Sequence, residues 1–134
     1  MANTSFNWKL IGLLSLVAVF MASLSILGFT QGIELFLWLG FSLIAAWLLS
    51  RKVSSKLFLH GLILGLTWGL INGLSQSAFF DTYISNNPIA QTQFEDVTIV
   101  HPRIFFILFS PVYGVFIGAV IGGLALLMKR VVKS

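Results

Sequence analysis

The sequence predicts an all-α integral membrane protein, a single domain of four transmembrane helices arranged in two antiparallel hairpins. Hydrophobic residues make up 57% of the 134 residues and charged residues only 9%, and the mean hydropathy is +0.98. So few charges could not cover the surface of a water-soluble domain. The apolar runs also have the length needed to cross a ~30 Å hydrocarbon core, which takes roughly 20 helical residues. A third observation is a series of glycines, one at every fourth position, in the third of these runs.

The first two helices are predicted at residues 10–28 and 33–50. The first run resembles a signal peptide, but it is longer than the roughly 7–15-residue apolar core of such signals. The sequence also still begins with Met1 ahead of this run, so we expect the run to be retained. Glu34 lies in the first turn of the second helix, where the positive end of the helix dipole favours an anion. Because the connections between helices one, two and three are short, we expect these helices to be antiparallel neighbours.

The third and fourth helices are predicted at residues 57–74 and 102–128, joined by an external loop at 75–101. Pro102 suits the first position of a helix. Pro111 lies inside the fourth helix, where it cannot donate a hydrogen bond to the carbonyl four residues earlier, so a kink is expected. Within the loop, aromatic residues at 79–84 have the one-sided spacing of a short amphipathic helix at the membrane interface, and the sequence Asn-Asn-Pro at 86–88 ends it.

Two ladders of small residues predict close packing between the third and fourth helices, in the manner of a glycine zipper. Residues four apart lie about 40° from one another around a helix, so each ladder forms a slowly spiralling groove. Small residues let helix backbones approach closely in a bilayer. An alternative is that these faces form a homo-oligomer or line a narrow pathway. The first ladder contains Gly61, Gly65, Gly69 and Gly73, and the second contains Ser110, Gly114, Gly118 and Gly122.

The distribution of charge predicts the orientation. Seven of the eight Lys and Arg residues fall on one side of a four-helix topology, which places that side, and both chain termini, in the cytoplasm of a bacterial-type inner membrane or a plasma membrane. Topology therefore explains the basic pI of 9.9, and no nucleic-acid partner is expected. The seven are Lys9, Arg51, Lys52, Lys56, Lys129, Arg130 and Lys133, against Arg103 alone on the other side.

Two amides continue the face of the first glycine ladder toward the outside. Asn72 and Gln76 fall within about 100° of the ladder positions on a helical wheel, together with Trp68. They form the mouth of a possible polar vestibule, or they hydrogen-bond neighbouring helices, each bond contributing about 0.6–2 kcal/mol. Glu34 is expected at the outer edge of the membrane and His60 at the cytoplasmic edge, with no titratable group between. This pattern counts against proton-coupled transport and multidrug exchange, which keep charged groups within the helices.

No catalytic, cofactor or metal site is predicted. The chain has no cysteine, which excludes thiol chemistry and Cys-ligated metals. His60 and His101 should lie on opposite membrane faces, too far apart to ligate one haem iron. A possible external-loop site would use Asp81, Glu95, Asp96, His101 and Arg103, although their spacing matches no catalytic motif.

Three functions remain as hypotheses. The first is a small non-enzymatic scaffold or accessory subunit that packs through its glycine faces, in the bilayer, with other membrane subunits or with copies of itself. The second is a small channel or facilitator for a neutral or weakly polar solute that enters past Asn72 and Gln76. The third is a membrane enzyme that uses the external loop.

Overall fold

The computed structural model describes residues 6–95 and 100–133, and these residues form six helices and no strand. Four of the six are the long apolar helices that the sequence predicts, and the other two lie in the segment predicted as the external loop. Each of these four is long and apolar enough to cross a membrane. The helices are α1 (Trp8–Ile26), α2 (Glu34–Lys52), α3 (Leu57–Ala78), α4 (Phe80–Asn86), α5 (Pro88–Glu95) and α6 (Pro102–Lys133).

The segment predicted as an external loop is largely helical. The third helix continues to Ala78, four residues beyond its predicted end. Only Phe79 separates it from α4, and only Asn87 separates α4 from α5. The Asn87 side chain donates to the carbonyl of Tyr83 at 2.7 Å, which satisfies a carbonyl in the last turn of α4. Pro88 then starts α5, because a first-turn residue needs no amide hydrogen. The fourth predicted helix, now α6, also extends past residue 128, to Lys133.

The two series of small residues lie against each other in α3 and α6. A Cβ atom added at Gly69 would lie 2.5 Å from the Cα of Gly114, and one added at Gly73 would lie 3.0 Å from the carbonyl oxygen of Phe106. Contacts then run from Gly73 near Ser110 down to Gly61 near Gly122, so the two helices are antiparallel. Most of the nearest atoms across this contact belong to the backbone, with side-chain atoms only at Ser110 and Phe58, so the two helix backbones lie very close together.

The other two long helices flank this pair, α1 against α3 and α2 against α6. Trp68 of α3 is fully buried and contacts both: its Nε1 donates to the Leu14 carbonyl of α1 at 3.0 Å, and its ring lies 5.5 Å from that of Trp38 in α2. Helices α1 and α2 make few contacts with each other. The two helices of the predicted first hairpin, α1 and α2, therefore do not pack closely on each other, because each packs on a different member of the α3–α6 pair.

The α6 helix continues through Pro111. Proline has no amide hydrogen for the carbonyl of Ile107. The Ser110 hydroxyl donates to that carbonyl instead, at 3.0 Å. A neighbouring side chain therefore satisfies the acceptor that Pro111 leaves without a backbone donor.

Two asparagines attach the end of α4 to the end of α1. Asn86 Nδ2 donates to the Ile26 carbonyl at 3.1 Å and Asn87 Nδ2 donates to the Ser25 carbonyl at 2.8 Å. Gly28 permits this approach, because its φ of +85° suits glycine and a Cβ there would meet the Asn86 carbonyl. The short helices therefore lie across one end of the long ones.

Candidate functional site

A cavity of about 430 Å³ lies where α2, α3 and α6 meet the short helices. Its size falls within the range of about 300–1,000 Å³ that is usual for small-molecule sites. The buried residues of α2 all lie in its second half, between Ser42 and Ser50, so its first half is free to border the cavity. The lining residues are Glu34, Leu35, Trp38, Trp68, Gly69, Asn72, Gly73, Gln76, Tyr83, Gln93, Phe105, Phe106, Phe109, Ser110, Tyr113 and Ile117.

A chain of hydrogen bonds forms one wall of this cavity. Gln76 Nε2 of α3 donates to Ser25 Oγ of α1 at 3.2 Å, and that hydroxyl donates to Glu34 Oε2 of α2 at 3.2 Å. The same carboxylate accepts from Thr30 Oγ1 and from Trp38 Nε1, both at 3.4 Å. Ser25 and Thr30 are almost fully buried. The chain links three long helices and fixes the carboxylate of Glu34 at the cavity.

Asn72 lines the same cavity and has an unpaired acceptor. Its Oδ1 atom is buried and, in the part of the chain that the structure describes, accepts no hydrogen bond. An unsatisfied buried acceptor costs about 1–3 kcal/mol. Such an atom has a reason to persist where it receives a hydrogen bond from a bound molecule or a water.

Aromatic rings form most of the remaining lining. Phe105 and Phe109 stack at a centroid distance of 4.3 Å along α6, and Phe106 meets Tyr83 edge to face at 5.6 Å. The rings of Trp38 and Trp68 close the side that faces α2 and α3. The cavity therefore combines an apolar aromatic surface with a few polar atoms, as small-molecule sites usually do.

Tyr83 lines the cavity from α4, outside the four long helices, and its pKa reflects the electrostatics of this site. Burial, and to a smaller extent the negative charge of Glu34, raises the pKa of Tyr83 from 10.0 to about 12. The phenol therefore stays neutral at physiological pH, and Glu34 is the only one of the described lining residues with a formal charge. The surroundings of Tyr83 disfavour a second negative charge.

The two amides predicted to form a vestibule, Asn72 and Gln76, both line the cavity, together with Trp68. Glu34 was missed as a site residue, because its place in a first helical turn already accounted for an acid. A signal was present in the sequence: Thr30 and Trp38 lie four residues before and after Glu34, within reach of its side chain around a helix start.

The residues of the possible external-loop site do not meet in a cavity. Arg103 forms a salt bridge with Asp81 at 2.9 Å, and the Asp81 side chain is 89% exposed. His101 Nδ1 accepts from the Arg103 amide at 3.2 Å. Glu95 is exposed, and Asp96 lies outside the described residues. Such an exposed ion pair contributes about 0–1 kcal/mol, and the described acids and histidines include no cluster of three that could hold a metal.

His60 lies at the other end of the bundle from His101, because His60 is in the first turn of α3, His101 directly precedes α6, and these two helices are antiparallel. His60 is buried, its Nε2 accepts from the Asn7 amide at 3.0 Å, and its Nδ1 donates to the Lys56 carbonyl at 2.8 Å. This pattern assigns the proton to Nδ1. Both ring nitrogens are therefore used in joining the start of α1 to the start of α3.

Comparisons of the chain with protein-family models, with curated proteins and with solved structures found no match.

Proposed function

We propose that this protein is a small membrane-embedded binding protein or facilitator for a weakly polar organic solute, which occupies the cavity beside Asn72 and Gln76. The observation that carries the proposal is an aromatic cavity of about 430 Å³ whose lining includes Gln76 and Asn72, and the buried Oδ1 of Asn72 has no partner among the described residues. Polar atoms that orient a ligand and apolar walls that enclose it are the usual elements of such a site.

In this proposal the four long helices span a bilayer, with both ends of the chain in the cytoplasm of a bacterial-type inner membrane or a plasma membrane. Large apolar side chains on their outer surfaces support it: Phe36 of α2 is 71% exposed and Phe116 of α6 is 69% exposed. Residues of this kind would face lipid. The excess of Lys and Arg at the opposite end from the cavity then places the cavity near the external surface.

The glycine ladders have a structural role in this proposal. Their direct backbone contact between α3 and α6 is the arrangement that stabilises helix pairs in lipid. The two ladders pack on each other within one chain, which leaves little of either ladder free to bind a second copy, and Gly69, Gly73 and Ser110 also border the cavity. This supports a function in the cavity, which lies beside the ladder.

The variant Asn72→Leu tests the proposal, because a binding role and a structural role predict opposite effects on stability. Leucine has a similar size and removes an unsatisfied acceptor, so the stability of the empty protein should stay the same or rise. Binding should weaken, and 4-phenylbutanol serves as the probe, with quenching of Trp38 and Trp68 as the signal. We expect at least a tenfold loss of affinity.

Thr67→Val is the matched control. Thr67 lies on α3 outside the cavity, and its hydroxyl donates only to the Ile63 carbonyl of its own helix, at 2.8 Å. This variant should bind the alcohol as the wild type does. Wild-type protein that binds no 4-phenylbutanol and no related amine, or an Asn72→Leu variant that is destabilised and binds normally, would refute the proposal.

A scaffold or accessory subunit is the second candidate, because the same exposed apolar surfaces, such as Leu35 and Phe36 of α2, would suit contact with another membrane polypeptide. Native mass spectrometry of the protein from its own membrane distinguishes the two candidates. A stoichiometric polypeptide partner would favour the accessory subunit, whereas a bound small molecule without a partner would favour the binding protein.

A further inference from the structure

We propose that the solute is an organic amine, bound as its ammonium ion with the nitrogen at Glu34 and an apolar body among the aromatic rings of the cavity. This inference rests on the proposed function and narrows its substrate class.

The charge of the cavity is the first argument. Among the described residues that line it, Glu34 alone has a formal charge. Its carboxylate has no salt-bridge partner within residues 6–95 and 100–133, and the one cation near this end of the bundle, Arg103, pairs with Asp81. A half-buried carboxylate without a counter-ion attracts a cation strongly, since the surrounding dielectric is low.

The hydrogen bonds of Glu34 leave room for such a ligand. Its three donors are the neutral groups of Ser25, Thr30 and Trp38, at 3.2–3.4 Å. These distances are long for a carboxylate, whose charge-assisted bonds are usually about 2.5–2.9 Å. The three groups hold the carboxylate in place, and an ammonium group would supply the short, charged hydrogen bond that they do not.

The same site disfavours an anion. An anionic ligand would meet the charge of Glu34, and none of the lining residues within 6–95 and 100–133 is cationic. Tyr83 shows this effect on a group of the chain itself, because burial and the charge of Glu34 together raise its pKa to about 12. A carboxylic acid or phosphate ester is therefore the least suitable occupant.

Aromatic faces add to the preference for a cation. Trp38 lies one helical turn from Glu34, and Trp68 is next to it, so an ammonium group at the carboxylate lies near indole rings. A cation over an aromatic face gains about 0.5–2 kcal/mol. The unpaired Oδ1 of Asn72 is also an acceptor and suits a second N–H or O–H donor on the ligand.

A purely structural role for Glu34 explains fewer features of the cavity than amine binding does. An acid in a first turn stabilises the helix through the helix dipole, and such a role does not require the carboxylate to line a cavity. It also leaves the Asn72 acceptor and the aromatic walls without a common purpose. The two roles predict different ligand selectivity.

The experiment compares three probes that differ only in the head group: 4-phenylbutylamine, 4-phenylbutanol and 4-phenylbutyrate. Binding to the full-length protein in phosphatidylcholine nanodiscs is measured at pH 7 by tryptophan quenching and by calorimetry. We expect the amine to bind about tenfold or more tighter than the alcohol, and the butyrate to bind weakest.

Glu34→Gln should remove the preference for the amine over the alcohol, because glutamine keeps the shape and loses the charge. Asp81→Asn is the matched control. It removes one negative charge from the same end of the helix bundle, at an exposed residue outside the cavity lining, and should keep the preference for the amine. Should Glu34→Gln fail to fold, the ratio of amine to alcohol affinity in the wild type still tests the amine inference.

Equal binding of amine and alcohol by the wild type would overturn the amine inference and leave the proposed function standing. Absence of binding by both would overturn the proposed function itself. A preference for the amine that persists in a folded Glu34→Gln variant would also overturn the inference.

The ammonium group could belong to a soluble amine or to the head group of phosphatidylethanolamine. Repeating the titration in nanodiscs that contain this lipid separates the two sources. Competition by the lipid would assign the site to a lipid head group, and unchanged binding would assign it to a soluble amine. Both results support recognition of an ammonium ion at Glu34.

Discussion

The contact between α3 and α6 can be tested by adding one methyl group at Gly65. A Cβ atom there would lie closer than 3.0 Å to the Cα and N of Gly118, and 2.9 Å from the carbonyl oxygen of Gly114. All three neighbours are backbone atoms, which cannot rotate away, so the helices must separate. Overpacking of this kind costs about 1–3 kcal/mol, and the rigid surroundings place Gly65→Ala near the upper end.

Gly123→Ala is the control that isolates this cost. Gly123 is also in a long helix, but a Cβ there has no neighbour within 4 Å. Both substitutions gain the same intrinsic helix propensity, about 1 kcal/mol, so the difference in stability between the two variants measures packing alone. We expect Gly65→Ala to be about 3 kcal/mol less stable than Gly123→Ala.

Unfolding by sodium dodecyl sulfate in mixed micelles, followed by circular dichroism and tryptophan fluorescence, measures this difference. A longer side chain extends the comparison: Gly65→Leu should prevent folding, whereas Gly123→Leu should fold. Equal stability of the two alanine variants would refute the argument that the helix backbones touch at Gly65.

Two further predictions concern single side chains. In a Tyr113→Phe variant the phenolate absorbance reports Tyr83 alone and should titrate near pH 12. The stability that the neutral phenol confers is therefore present below pH 10 and is lost as the pH rises toward 12. Adding Glu34→Gln should lower the titration midpoint but keep it above 10, because burial is the larger cause of the raised pKa, and a midpoint of 10 would contradict the burial of Tyr83. Trp68→Phe removes the hydrogen bond from α3 to α1 and should cost about 1–2 kcal/mol in the micelle assay, whereas unchanged stability would show that this bond is dispensable.

Much of the architecture could be predicted from the sequence, because it depends on local patterns. The long apolar runs predicted four helices whose starts lie within a few residues of the structure, as at Leu57 and Pro102. The same interpretation of the sequence drew attention to the small residues of α3 and α6, which lie close to one another in the structure. A hydrophobic run and a four-residue repeat are visible without knowledge of the tertiary structure.

The polar parts were harder to predict, because their partners are distant in the sequence. The amides of Asn86 and Asn87 were expected only to end a helix, and their bonds to α1 span about 60 residues. Glu34 was explained by the dipole of its own helix, whereas its link to Gln76 passes through Ser25 on a third helix. Such a link depends on how three helices are placed relative to one another.

The pairing of α3 with α6 has a consequence for biosynthesis. Gly118 leaves the ribosome roughly 50 residues after Gly65, which at 5–20 residues per second is about 3–10 s. During that interval the glycine face of α3 has no partner from its own chain, and the cavity does not yet exist. Until α6 has been synthesised, the glycine face of α3 therefore stays open to contact with other polypeptides.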